Sequence, residues 1–269
     1  MVLVFDIGGT NTRLALAEGG VLGEVVRLPT ERGEQGLTRF LAAAAKLAGS
    51  QGLTAVAGGF PGQLDDAGVV MAAPNLPKWI GKRLGAEIRD RFECPVYWEN
   101  DVVLCGRGEA AHGAGSRQGV MAYYTVSTGV NAVRLVDGAV DRGVARYELG
   151  KQLLLRDGAG WKSLEAMIGG GALEERWGKP PREVRDPAVW QEIERCLAAG
   201  LYNTVLYWNP AVVVLGGSMM RDIDLKVVAR ELAKFPLVFE RWPRLERASL
   251  GDEAGLYGGL AWLQELGRN

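Results

Sequence analysis

Asp6 closes an apolar run from Val2 to Phe5 and is followed, after Ile7, by Gly8, Gly9, Thr10, Asn11 and Thr12, a turn poor in bulky side chains and rich in amides and hydroxyls. A carboxylate beside such a turn is able to hold Mg²⁺, directly or through water, while the N–H and hydroxyl groups meet phosphate oxygens. The glycines have a plainer use too, because a tight hairpin needs their dihedral freedom with or without a ligand. A second turn of this kind, Ser127-Thr128-Gly129-Val130-Asn131, is flanked by two more apolar runs and is able to grip the same polyphosphate. Asp101 follows Asn100 directly after a strand-like segment. Its carboxylate is suited to take a proton from an alcohol that Asn100 orients, and equally suited to cap the helix that follows; the two roles are compatible. Asn75, Glu148 and Glu165 offer the acceptors and amide groups that a polyol requires, although each residue is also at home in a surface turn.

Other chemistries find little support. The chain has 269 residues, with 48% hydrophobic and 23% charged, so it is globular rather than disordered and long enough for one large or two smaller cores. A net charge of -1 excludes a globally basic nucleic-acid or membrane-surface binder. Cys94, Cys105 and Cys196 are odd in number and widely spaced, which fits a reducing compartment better than a disulfide scaffold or a four-cysteine metal site. His112 has no partners at metal-ligand spacing, and neither a G-x-S-x-G elbow nor H-E-x-x-H occurs. The opening MVLVFD is not a secretory signal, and the purest apolar run, Ala211 to Leu215, is of strand length, so a cytoplasmic protein with no membrane span is expected.

The elements that must position these residues can be read from periodicity. Strand, glycine turn and strand follow one another from residue 2 to residue 17, and Glu18-Gly19-Gly20 turns the chain into Val21 to Arg27. A Rossmann or P-loop site would instead lead from its glycines into a helix. Residues 36 to 49 read as a helix and 54 to 58 as a strand. From Pro77, the residues Trp79, Ile80, Leu84, Ile88 and Phe92 form an apolar helical stripe opposed by charge. Near residue 120 the opening pattern returns, with Gly9 and Gly129, and Asn11 and Asn131, each 120 positions apart, which suggests an internal duplication. Residues 150 to 186 give weak signals. A long helix then carries Trp190, Ile193, Leu197, Leu201, Val205 and Trp208 on one face; Ala211 to Leu215 is a strand, and 224–234 and 252–266 are helices.

These motifs, in this order, resemble the ROK family of bacterial sugar kinases, repressors and related reading frames, within the actin-like, ribonuclease-H-like ATPase superfamily. Asp6 to Arg13 is similar to the family's first phosphate motif, Pro74-Asn75-Leu76 through Trp79 to its sugar-contacting segment, and Glu99-Asn100-Asp101 through Gly108-Glu109 to its catalytic segment. Thr125 to Gly143 resembles the second phosphate motif, Glu148-Leu149-Gly150 the sugar-binding E-x-G-H, and Ser163-Leu164-Glu165 the end of the cysteine-rich loop. Gly216-Gly217-Ser218 and Gly251 to Gly259 are similar to the nucleotide-side region, so the resemblance covers nearly the whole chain.

The resemblance implies an α/β chain of two similar actin-like domains around a cleft, with residues 1–100 forming the first domain and 101–255 a larger second one. A last helix of about 256–269 is expected to pack back on the first. It further implies an ATP-dependent hexokinase, glucokinase foremost, acting on the 6-hydroxyl of glucose with Asp101 as the base. Asn75, Asn100, Glu148, Lys151 and Glu165 would hold the sugar, and Asp6 would organise Mg²⁺ through water. Gly8, Gly9, Thr10, Asn11, Thr12, Thr128 and Gly129 would surround the phosphates, and Gly216 and Gly217 would approach the nucleotide. N-acetylhexosamine kinase, fructokinase and polyphosphate-dependent glucokinase are alternatives within that chemistry. A catalytically silent sugar- or nucleotide-binding protein is an alternative outside it. A homodimer is implied, and DNA binding is disfavoured because the chain starts at the first phosphate strand with no helix-turn-helix ahead of it.

Two departures stand out. Lys151 occupies the position of the E-x-G-H histidine, while Arg156, Gly158 and Ser163 occupy the positions of three zinc-ligating cysteines, so no zinc is expected. Asn131-Ala132 stands where relatives carry further glycines after Thr128-Gly129.

Overall fold

Strand β1 (Val2–Ile7) is buried at every position, which requires cover on both faces of its sheet. Alternation divides its side chains: Leu3, Phe5 and Ile7 join one apolar cluster, Val2 and Val4 another. Asp6 shares the parity of Val2 and Val4 and so emerges on their side at the strand's end. The computed structural model describes residues 1–115, 117–142, 147–158 and 160–267.

After β1 come β2 (Asn11–Glu18), β3 (Val21–Leu22), β4 (Val26–Pro29), α1 (Gly36–Ala48), β5 (Ala55–Phe60), β6 (Gln63–Leu64) and β7 (Val70–Ala72). The chain continues through α2 (Leu84–Phe92), β8 (Val96–Asn100) and α3 (Asp101–His112). The main sheet runs β3-β2-β1-β5-β8, with β4 also on β2. Strand β1 is antiparallel to β2 and parallel to β5, and β5 is parallel to β8. The parallel strands therefore end together, placing the chain after Asp6, Phe60 and Asn100 along one edge.

The second series is β9 (Val120–Val126), β10 (Val130–Val136), β11 (Ala139–Val140), β12 (Leu153–Asp157), β13 (Gly160–Ser163), α4 (Leu164–Ile168), α5 (Gly170–Trp177), α6 (Pro187–Trp208), β14 (Val212–Gly216), α7 (Leu225–Leu232) and β15 (Arg244–Arg247). Its sheet runs β11-β10-β9-β14-β15. Pairing senses repeat those of the first sheet: β9 is antiparallel to β10 and parallel to β14, and β14 is parallel to β15. The duplicated strand order is thus present, while the 120-residue offset is only approximate. The turn between the paired Ile7 and Thr12 holds residues 8–11, that between Val126 and Val130 only 127–129.

The last helix, α8 (Ala254–Glu265), packs on β1 and β5 with Leu256, Leu260 and Leu263 against Val2 and Val4. Two compact units result, Met1–Ala111 with Asp252–Asn269 and His112–Gly251. Helix α3 therefore leaves Asp101 in the same unit as Asp6. The backbones of α3 and α8 meet closely, since a Cβ on Gly258 would lie 1.8 Å from the Leu104 carbonyl oxygen and one on Gly108 would lie 2.2 Å from that of Ala254. In the second unit, Ile193, Leu197 and Leu201 bury the expected face of α6 against β9, β10 and β14 residues, and Val205 on that face is buried too.

One expected helix is broken. The stripe beginning at Pro77 forms a single 3₁₀ turn, Pro77–Trp79, and α2 starts only at Leu84. Gly81 between them takes a left-handed φ of 83°, and Ile80 is exposed rather than part of the core. Among the described residues no helix is long and apolar enough to cross a membrane.

Candidate functional site

In the first unit the β1–β2 turn is braced from outside. The Gly8 N–H donates to the Asn11 carbonyl at 2.9 Å, and the Thr30 hydroxyl donates to the Gly8 carbonyl at 2.8 Å. Thr12 and Thr30 share a buried hydroxyl contact of 2.8 Å, so Thr12 supports the turn from below. Gly9 is needed for space: a Cβ there would stand 2.9 Å from the Cβ of Asn75. Asn75 thus lies directly on the first turn, carried there by the buried Leu76 and Trp79 that follow it.

Asp6 is buried, and its Oδ1 has no hydrogen-bond partner among the described residues. Burial first, then the nearby Asp101 charge, raises its carboxyl to about 7, with Arg13 opposing and Asp252 adding to the rise. Arg13 stands 3.7 Å from Asp6 and 2.9 Å from Asp252, so it is shared between two acids. Gly59 fits between Asp6 and Asp101, as its Cβ would lie 3.1 Å from Asp6 Oδ1 and 3.3 Å from Asp101 Cα. A buried carboxylate with an unpartnered oxygen beside a second acid suits a hydrated divalent cation, so the residues fit Mg²⁺ held through water.

Asp101 opens α3. Its Oδ1 accepts the Val102 N–H at 3.0 Å, and Asn100 Oδ1 accepts the same group at 3.1 Å from the position preceding the helix. Glu99 Oε1 holds the Asn100 N–H at 2.8 Å. Capping is therefore divided between Asn100 and Asp101, and the Asn100 Nδ2 is left as a donor.

In the second unit the Thr128-Gly129 turn is tied to the start of α5: the Gly170 N–H donates to the Ser127 carbonyl at 2.7 Å and that of Gly171 to the Thr128 carbonyl at 2.8 Å. Glu165 sits beneath the turn, its Oε2 accepting the Val130 N–H at 2.9 Å, and a Cβ on Gly129 would meet that oxygen at 2.8 Å. Lys151 forms an ion pair with Oε1 of Glu165. That contact, together with the charges of Glu165 and Glu148, raises the Lys151 ammonium against a smaller opposing effect of burial. Asn131 donates to Glu148 Oε2 at 3.1 Å while its Oδ1 accepts the Leu149 N–H at 3.1 Å. The departure at 131 thus carries a structural contact that glycine could not make. Glu148, Lys151, Glu165 and the turn form one cluster.

Gly216 ends β14 opposite Thr125 of β9, and Gly217 follows it. Gly217 has a φ of 98° and a Cβ there would lie 2.4 Å from the Val126 carbonyl oxygen, so packing against β9 already requires glycine. The expected zinc positions hold other chemistry: Arg156 is in β12, Gly158 in the turn after it, and Ser163 caps α4 by accepting the Ala166 N–H at 3.2 Å. Among the described residues no group of three or more His, Cys, Asp or Glu is arranged to hold a metal. Gly143, the far end of the second phosphate motif, lies outside the described residues.

The profile of the ROK family matches residues 2–266. The chain belongs to the ROK family. Similar ROK proteins include the ROK hexokinase of Thermus thermophilus, 29% identical, with a TM-score of 0.80 over 100% of this chain and 99% of that one. A fructokinase of Zymomonas mobilis is 28% identical over 94% of this chain and 93% of its own length. A glucokinase of Aeropyrum pernix is 27% identical over 97% of this chain and 95% of its own. This is a ROK-family sugar kinase, and its relatives' names span more than one sugar.

Two side chains that meet Asp6 and the first turn, Arg13 and Arg32, had no role assigned from the sequence. Arg13 as the partner of Asp6 was available from the hairpin, because the two are cross-strand neighbours in register. Arg32, whose side chain reaches the first turn from the segment after β4, had no local signal.

Proposed function

We propose that this chain transfers the terminal phosphoryl group of ATP to the 6-hydroxyl of a hexose, with glucose the leading substrate and fructose or an N-acetylhexosamine the alternatives. The observation that carries the proposal is the pairing, in one unit, of Asp101 at the start of α3 with Asp6 at the end of β1 across Gly59. One acid serves the acceptor, the other the donor. In this reading Asp101 accepts the proton of the attacking hydroxyl while Asn100 Nδ2 and Asn75 hold neighbouring sugar oxygens. Glu148 and Glu165, fixed by Asn131 and Lys151, accept from the sugar's remaining hydroxyls. Lys151, paired with Glu165 through one of its three N–H groups, would add a hydroxyl contact through another.

The turns at Gly9–Asn11, braced by Gly8 and Thr12, and at Thr128-Gly129 would present N–H and hydroxyl groups to phosphate oxygens. Gly216 and Gly217, small already because of their packing on β9, would let the backbone approach the nucleotide. Asp6 would hold Mg²⁺ through water; when bound, that ion offsets charge on the transferring phosphoryl oxygens. The repeated strand order of the two sheets supports reading them as a pair of actin-like ATPase domains. A homodimer in the cytoplasm belongs to the same reading.

An ADP-release assay over glucose, fructose, mannose and N-acetylated hexosamines, with ATP and with polyphosphate as donor, tests it. Sugar-dependent, magnesium-dependent ADP release is expected. Sugar binding by calorimetry with no turnover under any pairing would favour a silent binding protein instead.

A further inference from the structure

The segment from Thr30 to Gly36 does more than join β4 to α1, because it engages three successive carbonyls of the first turn. The Thr30 hydroxyl donates to the Gly8 carbonyl at 2.8 Å, Arg32 Nε to that of Gly9 at 2.8 Å, and the Thr30 N–H to that of Thr10 at 2.8 Å. The turn's carbonyl oxygens are thereby occupied, which leaves its electropositive side for a ligand. Arg32 Nη2 also reaches the Thr10 hydroxyl at 3.3 Å.

Both acceptors of Arg32 are uncharged. Its neighbours behave otherwise: Arg39 pairs with Glu31 at 2.9 Å and Arg13 with Asp252 at 2.9 Å, whereas Arg32 has no carboxylate partner among the described residues. Among the described residues two of its five N–H groups are used, so three remain for an anion, on an exposed guanidinium already held in place. An ordered, uncompensated guanidinium at a turn of N–H groups and hydroxyls is a phosphate-binding arrangement.

We infer that Arg32 is a binding residue for the donor's phosphates, its guanidinium fixed by Gly9 and Thr10 and its open N–H groups directed to the terminal phosphate. The inference rests on the kinase reading for the identity of the donor, but the anion site itself is testable without turnover. Calorimetric titration of tripolyphosphate, with magnesium present, into wild type, Arg32→Lys and Arg32→Gln separates charge from tether, and circular dichroism checks that each variant is folded. Wild type is expected to bind, Arg32→Lys to stay within about threefold, and Arg32→Gln to weaken about tenfold, the scale of one charge-assisted contact. In ATP kinetics the Gln variant should raise the donor KM and leave the sugar KM unchanged. No binding by wild type, equal affinity of the Gln variant and wild type, or equal losses in Lys and Gln would each overturn the assignment. Failure of the kinase reading shows separately, as tripolyphosphate binding that depends on Arg32 in a protein that turns over no sugar.

Discussion

Glu165 accepts the backbone N–H of Val130 at 2.9 Å, so a residue expected to touch sugar also supports the turn expected to touch phosphate. Its other oxygen is paired with Lys151. One carboxylate thereby joins the turn and Lys151 within the second unit, and substitutions should separate its two contacts. Glu165→Ala removes both contacts and is expected to cost about 1–2 kcal/mol of stability, because the Val130 N–H loses a charged acceptor. Lys151→Met removes only a largely exposed ion pair and should cost under about 1 kcal/mol. Urea denaturation of the two variants checks the order; a larger loss in the lysine variant would contradict it.

Gly9 does not lie in the left-handed region, so its substitution acts through contact alone. With a Cβ 2.9 Å from that of Asn75, Gly9→Ala must displace the asparagine. Sugar KM should rise about tenfold with the fold intact. Combined with Asn75→Ala, the second change should add little, since neighbours sharing one contact are not additive. Full additivity of the two effects would show that the contact does not transmit the loss.

The raised carboxyl of Asp6 makes stability depend on pH. At low pH, folded and unfolded chains both hold the proton. As pH rises through the ordinary carboxylate range the unfolded chain releases it, while the folded chain keeps it until about 7. Stability therefore falls across that window, and the loss is complete above it. In magnesium-free buffer the urea midpoint of wild type should fall more steeply between about pH 4 and 7, the interval separating the two titrations, than that of Asp6→Asn. Parallel curves would contradict the assignment.

Gly258 lies where α8 meets α3 backbone to backbone, and a Cβ 1.8 Å from the Leu104 carbonyl oxygen cannot be absorbed by a rotamer change. Gly258→Ala is expected to destabilise by about 3 kcal/mol or more, as severe overpacking does. Soluble protein with an unchanged urea midpoint would mean that the two helices separate easily.

The elements carrying Asp6 and Asp101 were legible because apolar runs ending in a glycine turn or an acid have few alternative readings, and the repeat at residue 120 exposed the second sheet. The helix expected from Pro77 failed at Gly81, where one left-handed residue outweighs a good apolar stripe. Strands β12 and β13 pair as a short hairpin whose Leu153, Leu155 and Trp161 are exposed, so no buried alternation was present to reveal it. Asn131 read as a lost glycine, whereas its contacts with Glu148 and Leu149 depend on residues far along the chain. The reach of Arg32 to Gly9 is equally non-local.

The central claim is that the Asp101 carboxylate is the base that takes the proton of the sugar hydroxyl. Single-turnover and steady-state ADP release by Asp101→Asn, with the best hexose of the panel, tests it most directly. The account expects kcat to fall by at least about 100-fold, with sugar affinity within a few fold of wild type. A kcat near that of wild type would show that this carboxylate only caps α3.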